Sequence, residues 1–145
     1  MIYNVQDDVI GRRTSVPLME HKPSQSAPWN PSPPDHFTGS VWNSRISDPE
    51  DGVKLLAVQF APGSRTDWHT HPGGQLLYVI SGSGLVQTAD GVTIAVSPGD
   101  VVEAPPGERH WHGARPDSPM MHLSVTSGGD TEWEESVTEE EYLRR

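Results

Sequence analysis

His69 and His71 flank Thr70 in a stretch of strand-forming residues, 66–71. Side chains alternate along a strand, so both imidazoles point to one face and make a chelating pair. Gln75 follows across Pro72-Gly73-Gly74, a turn able to return the chain beside the pair and bring an amide oxygen to it. His110 comes much later, in a second strand entered through Pro105-Pro106-Gly107. Neutral imidazoles with an amide oxygen suit one borderline divalent metal ion, Mn, Fe, Co, Ni or Zn, and suit calcium poorly. The chain has no Cys, so any such ion must be held by His, carboxylate or amide groups. Alone, a His-x-His in a strand is equally what two surface histidines on a polar face look like.

Two further histidines belong with this set. His112 shares a face with His110 and is placed to be a hydrogen-bond partner behind the ligands. His122 lies in the apolar strand 120–126, where Met121 and Leu123 take one face and Met120, His122 and Ser124 the other. If the latter face is interior, His122 reaches the same cavity and can move a proton; otherwise it is a core histidine. Trp68 and Trp111 point away from the ligand face and read as packing residues. Thr38 and Ser40 are polar residues able to face a substrate, and His21 and His36 read as exposed histidines of the N-terminal segment.

The elements that must position these residues are strands. With 14 Gly and 14 Pro spread over 145 residues, the chain suits many short strands joined by tight turns, hence one all-β domain. Strands are expected at 38–46, 53–60, 66–71, 75–81, 84–88, 92–96, 100–104, 109–113 and 120–126. Asp90-Gly91 is a two-residue hairpin signal, because glycine accepts positive φ. Residues 1–36 hold six prolines and few periodic apolar positions, so they read as an extended Pro-rich N-terminal arm. The domain proper is then 37–126. Residues 127–145 form an acidic C-terminal segment, in which Thr138-Glu139-Glu140-Glu141 matches a capping box and implies one short C-terminal helix. Arg144 and Arg145 stand where a helix C-terminus favours cations.

A formal net charge of -10 argues against nucleic acid or an anionic membrane as partner, since both require excess Lys and Arg. A neutral small-molecule substrate remains easy. The chain lacks a run of about 20 apolar residues and a signal-peptide layout, which points to the cytoplasm.

Gly63, His69-x-His71, Gln75 and Gly82 at their spacings resemble the first cupin motif, with Gln where its commonest form has Glu. Gly99, Pro105-x-Gly107 and His110 resemble the second. This resemblance covers roughly 37–126 and implies a double-stranded β-helix, a cupin or jelly-roll barrel, with a metal inside its mouth. The runs Phe37-Thr38-Gly39, Ala61 to Pro72, Arg109 to Ala114 and Met121-His122-Leu123 narrow it further, to the manganese-dependent cupin hydroxynitrile lyases. That resemblance implies His69, His71, Gln75 and His110 as ligands of one ion, most simply Mn, with His122 as the catalytic histidine. It also implies a homo-oligomer, a dimer or tetramer, for which the arm is an element to exchange. The rival readings are a sugar or uronate-type lyase or isomerase, an iron dioxygenase, and a non-catalytic metal-dependent binding module.

Overall fold

Apolar residues alternate along the strands as expected, and the chain folds into two antiparallel sheets curled around a shared interior. A computed structural model describes the backbone of residues 3–7 and 13–144 and the side chains of 18–144. Fifteen strands and one helix are present among the described residues: β1 (Tyr3–Asp7), β2 (Arg13–Pro17), β3 (Trp29–Pro31), β4 (Phe37–Thr38), β5 (Val41–Ser47), β6 (Lys54–Phe60), β7 (Arg65–Thr66), β8 (His69–Thr70), β9 (Gln75–Gly82), β10 (Gly84–Thr88), β11 (Thr93–Val96), β12 (Val101–Ala104), β13 (His110–Ala114), β14 (Met120–Thr126), β15 (Glu132–Trp133) and α1 (Glu139–Leu143).

One sheet runs β12-β9-β14-β6-β5-β3, the other β11-β10-β13-β7-β4, with β8 paired to both β13 and β15. This is the jelly-roll barrel that the motifs imply. The Asp90-Gly91 hairpin forms with Gly91 at φ +90°, in the left-handed region open to glycine. The turn after His71 depends on Gly73, where a Cβ would collide with the Ser127 carbonyl.

Within the segment expected to be an arm, β1 and β2 pair as a hairpin, and β3 extends the first sheet beside β5. Pro31 is tolerated there because β3 is an edge strand. The expected strand 66–71 is interrupted: β7 and β8 each contribute one short contact to β13, and His71 lies just beyond β8.

Part of the barrel interior is an apolar core. Phe60, Met120, Val79 and Leu77 of one sheet meet Val86 and Ala114 of the other. Each large side chain buried there contributes about 1.5–3 kcal/mol of transfer free energy. A second cluster lies outside the β13 sheet, where Val137 and Tyr142 cover Trp68, Leu85 and Trp111. Both tryptophans thus pack away from the histidines. The capping box of α1 is formed on Thr138 and Glu141, and Tyr142 donates to the Ala114 carbonyl at 2.6 Å. Arg144 is the C-cap; Arg145 lies outside the described residues.

Candidate metal centre

β8 and β13 are antiparallel neighbours with His69 opposite His110, so the pair from one strand meets the histidine of the next. The ligand atoms of His69, His71 and His110 lie within 4.8 Å of one another, and all three residues are buried. His69 Nδ1 is 2.8 Å from the Asp67 carbonyl, and His110 Nδ1 is 2.8 Å from the Glu108 carbonyl. A carbonyl only accepts, so each Nδ1 carries the proton and each Nε2 is left as a lone pair. His71 Nδ1 lies 3.2 Å from Thr131 Oγ1, and its buried Nε2 has no partner.

Gln75 completes the set. Its Nε2 donates to Ser124 Oγ at 2.8 Å, which turns Oε1 toward His110 Nε2 at 2.9 Å. Two acceptors then face each other in a buried site, an arrangement that repels unless something positive lies between them. A proton on His110 is disfavoured, because burial lowers its pKa. Burial, and then the neighbouring His110, hold His69 well below the usual range and His71 at about 4. Three neutral imidazoles and an amide oxygen with unmatched lone pairs fit a divalent cation.

Beyond this group, β13 and β14 bring His112 and His122 together, with His122 Nε2 3.0 Å from His112 Nδ1. The remaining nitrogens, His112 Nε2 and His122 Nδ1, are buried without partners. Burial keeps both rings neutral, His112 well below its ordinary pKa and His122 at about 4. A single proton occupies their shared bond, so one ring donates and the other accepts. His122 packs on Phe60 and shares the inward face with Met120 and Ser124, and a β-bulge in the β9–β14 pairing falls beside it.

Both groups open into one cavity of about 340 Å³. Leu56, Val58 and Phe37 give it apolar walls, and Thr66 rather than Thr38 or Ser40 supplies a hydroxyl. At its mouth stand Arg45 and Lys54. Arg45 is paired to Asp48 at 2.8 Å, and Lys54 lies 3.5 Å from Asp48 and 3.7 Å from Asp130. His21 is exposed as expected, but His36 is not: it is half-buried, lines the cavity and stacks on Trp133 at 4.5 Å. Trp133 in turn packs on His69 at 4.9 Å. Sequence reasoning missed Trp133, because it is a lone aromatic among acids and its strand β15 is two residues long.

Comparison with known proteins points the same way. Residues 56–126 match the family described as the cupin domain. An (R)-mandelonitrile lyase of Granulicella tundricola is 42% identical over 131 residues, covering 87% of this chain and 100% of that protein. A cupin-like protein from Thermotoga maritima is 42% identical with a TM-score of 0.75, over 77% of this chain and 89% of that one. The polyketide cyclase RemF from Streptomyces resistomycificus, 21% identical with a TM-score of 0.69, covers 86% of this chain and 91% of its own and shares the fold.

Proposed function

Because this chain belongs to the cupin domain family, we propose that it is a metal-dependent lyase of hydroxynitrile type, acting in the cytoplasm on neutral cyanohydrins. The observation that carries the reading is that one apolar-walled cavity is lined by His69, His71 and Gln75, with His110 beside them, and by the His112–His122 pair, all of these imidazoles neutral. The four residues would hold one ion, manganese in this reading. Bound there, it would supply positive charge that acidifies a substrate hydroxyl.

His122 takes the proton of that hydroxyl. Its low pKa leaves it neutral at physiological pH, with a lone pair available. As the O–H bond is lost, the carbon–cyanide bond breaks, its electron pair leaves with cyanide, and the carbonyl forms. His112, 3.0 Å away, accepts a hydrogen bond from the protonated ring, and the proton then passes to cyanide. Leu56, Val58 and Phe37 exclude water, which would compete for the carbonyl. A uronate-type substrate needs an unpaired cation for its carboxylate; Arg45 and Lys54 already have acidic partners, which favours a neutral substrate.

The test is oxygen-free conversion of mandelonitrile to benzaldehyde by the manganese-loaded protein, followed by absorbance. His122→Ala should keep its metal and lose about 10²–10⁴-fold in turnover. Oxygen uptake without benzaldehyde, or a His122→Ala variant within a few-fold of the parent, rejects the mechanism.

A further inference from the structure

Three imidazoles can hold one ion only if each presents a bare nitrogen, so the other nitrogen of each ring must carry the proton. For His69 and His110 the device is local: each Nδ1 donates to the carbonyl two residues earlier, of Asp67 and Glu108, at 2.8 Å. His71 is served differently. It stands beyond the end of β8, where the N–H groups of Gly74 and Gly107 pin its main chain by donating to its carbonyl at 3.0 and 3.1 Å. Its ring meets the C-terminal segment, with Thr131 Oγ1 3.2 Å from Nδ1 and its buried Nε2 left without a partner. A hydroxyl can donate or accept, so this contact by itself allows either tautomer. With Nδ1 as the donor, Nε2 is a lone pair beside the other two ligand atoms. With Thr131 as the donor, an N–H would be stranded in the buried site, at the cost of a bond left unmade. The first arrangement also lets half-buried Thr131 turn its own hydrogen toward solvent.

The fold brings Thr131 to this place through strand register. β15 sets Glu132 opposite Thr70 and Trp133 opposite His69, so the next step along the chain puts residue 131 beside 71. Both flanks are anchored. On one side Trp133 packs on His69, and the Glu134 N–H donates to the Trp68 carbonyl at 2.8 Å. There Arg109 also donates to Glu134 at 2.9 Å and lies over the Trp68 ring at 4.1 Å. On the other side Gly73 lies so close to Ser127 that a Cβ would stand 2.0 Å from its carbonyl oxygen. We propose that Thr131 is the positioning residue of His71: it accepts the Nδ1 proton, fixes the tautomer, and so makes the C-terminal segment part of the metal centre. The inference rests on the metal-binding part of the proposed function and on nothing in the reaction that follows.

Long-range proton–nitrogen NMR correlations of the metal-free protein, at a pH where the imidazoles are neutral, read the tautomer of each ring. In the parent, His69, His71 and His110 should all carry the proton on Nδ1. Thr131→Val keeps the shape and removes the acceptor, so His71 alone should shift toward the Nε2–H form that neutral imidazole prefers in water. Unchanged spectra for His69 and His110 show that the fold is intact. Thr131→Ser should restore the Nδ1–H form. Calorimetric titration with manganese should follow the tautomer, roughly 10–100-fold weaker in Thr131→Val and close to the parent in Thr131→Ser. Should Thr131→Val fail to fold, the parent spectrum still decides, because a His71 proton on Nε2 overturns the proposal. A parent that takes up no manganese sinks the metal-dependent reading and this inference with it. In a parent that binds manganese, an unaltered His71 tautomer in Thr131→Val sinks this inference alone.

Discussion

Gln75 is the residue on which the electrostatics of the site turn. Its Oε1 is fixed by the bond from Nε2 to Ser124 and faces a second acceptor on His110. Gln75→Glu keeps the shape but adds a charge and removes the donor, so Ser124 must rotate to donate instead. Added negative charge among neutral imidazoles should tighten manganese binding by on the order of tenfold or more. In the proposed mechanism the same charge would oppose alkoxide formation; each unit by which the substrate oxygen's pKa rises would cost about 1.4 kcal/mol, up to tenfold in rate. Calorimetric metal titration and turnover on one preparation check both. If affinity and turnover rise together, the neutral ligand set is not a catalytic device. The pairing of His69 with His71, and the return of Gln75 beside them, was legible in strand alternation and one tight turn, whereas His110 joined the set only through the motif resemblance, because it reaches His69 from a strand remote in sequence. The contacts of His112 with His122, and of Trp133 with His36 and His69, cross the barrel between strands remote in sequence, so no local pattern announces them.

At the scale of elements, the strands were legible where alternation was strong, as in β14, and turns where glycine was obligatory, as at Gly91. They were not legible where a two-residue strand owes its existence to a partner. β15 forms because β8 offers its edge to Glu132 and Trp133, and the break between β7 and β8 accommodates Asp67 and Trp68. The helix α1 shows the converse: five residues cannot hold a helix alone, yet its capping box was readable from sequence. Its stability therefore comes from Tyr142 docking and from the cap. Tyr142→Phe should cost about 1 kcal/mol through the lost bond to the Ala114 carbonyl. Thr138→Ala should cost about 1 kcal/mol through the lost cap. Urea unfolding at unchanged m-value measures both, and variants with the parent's midpoint would mean that the C-terminal segment adds nothing to the barrel.

For the whole molecule, the histidine cluster couples stability to pH with a definite sign. Burial lowers the pKa of His69, His71, His110, His112 and His122 in the folded state, to about 4 for His71 and His122. The unfolded chain protonates these rings near the ordinary value of 6.5. Below that pH the unfolded state binds more protons than the folded one, so stability rises with pH across the window. The metal-free protein should hold a steady Tm above about pH 7 and lose it progressively as pH falls from about 6.5 to 4. Asp48, whose pKa is lowered chiefly by its bond to Arg45, acts in a separate window below 3.8. In the proposed function manganese would bind only the folded site and only neutral imidazoles, so saturating metal should raise Tm at pH 7 and EDTA should reverse the gain. Protons compete for the same lone pairs, and the metal-dependent increment should shrink toward zero as pH approaches 4. Thermal scans over a pH series, with manganese and with EDTA, measure both curves. A metal-free Tm that stays flat from pH 7 to pH 5 would mean that the five histidines are not held neutral, and the argument for a cation among their lone pairs would fail with it.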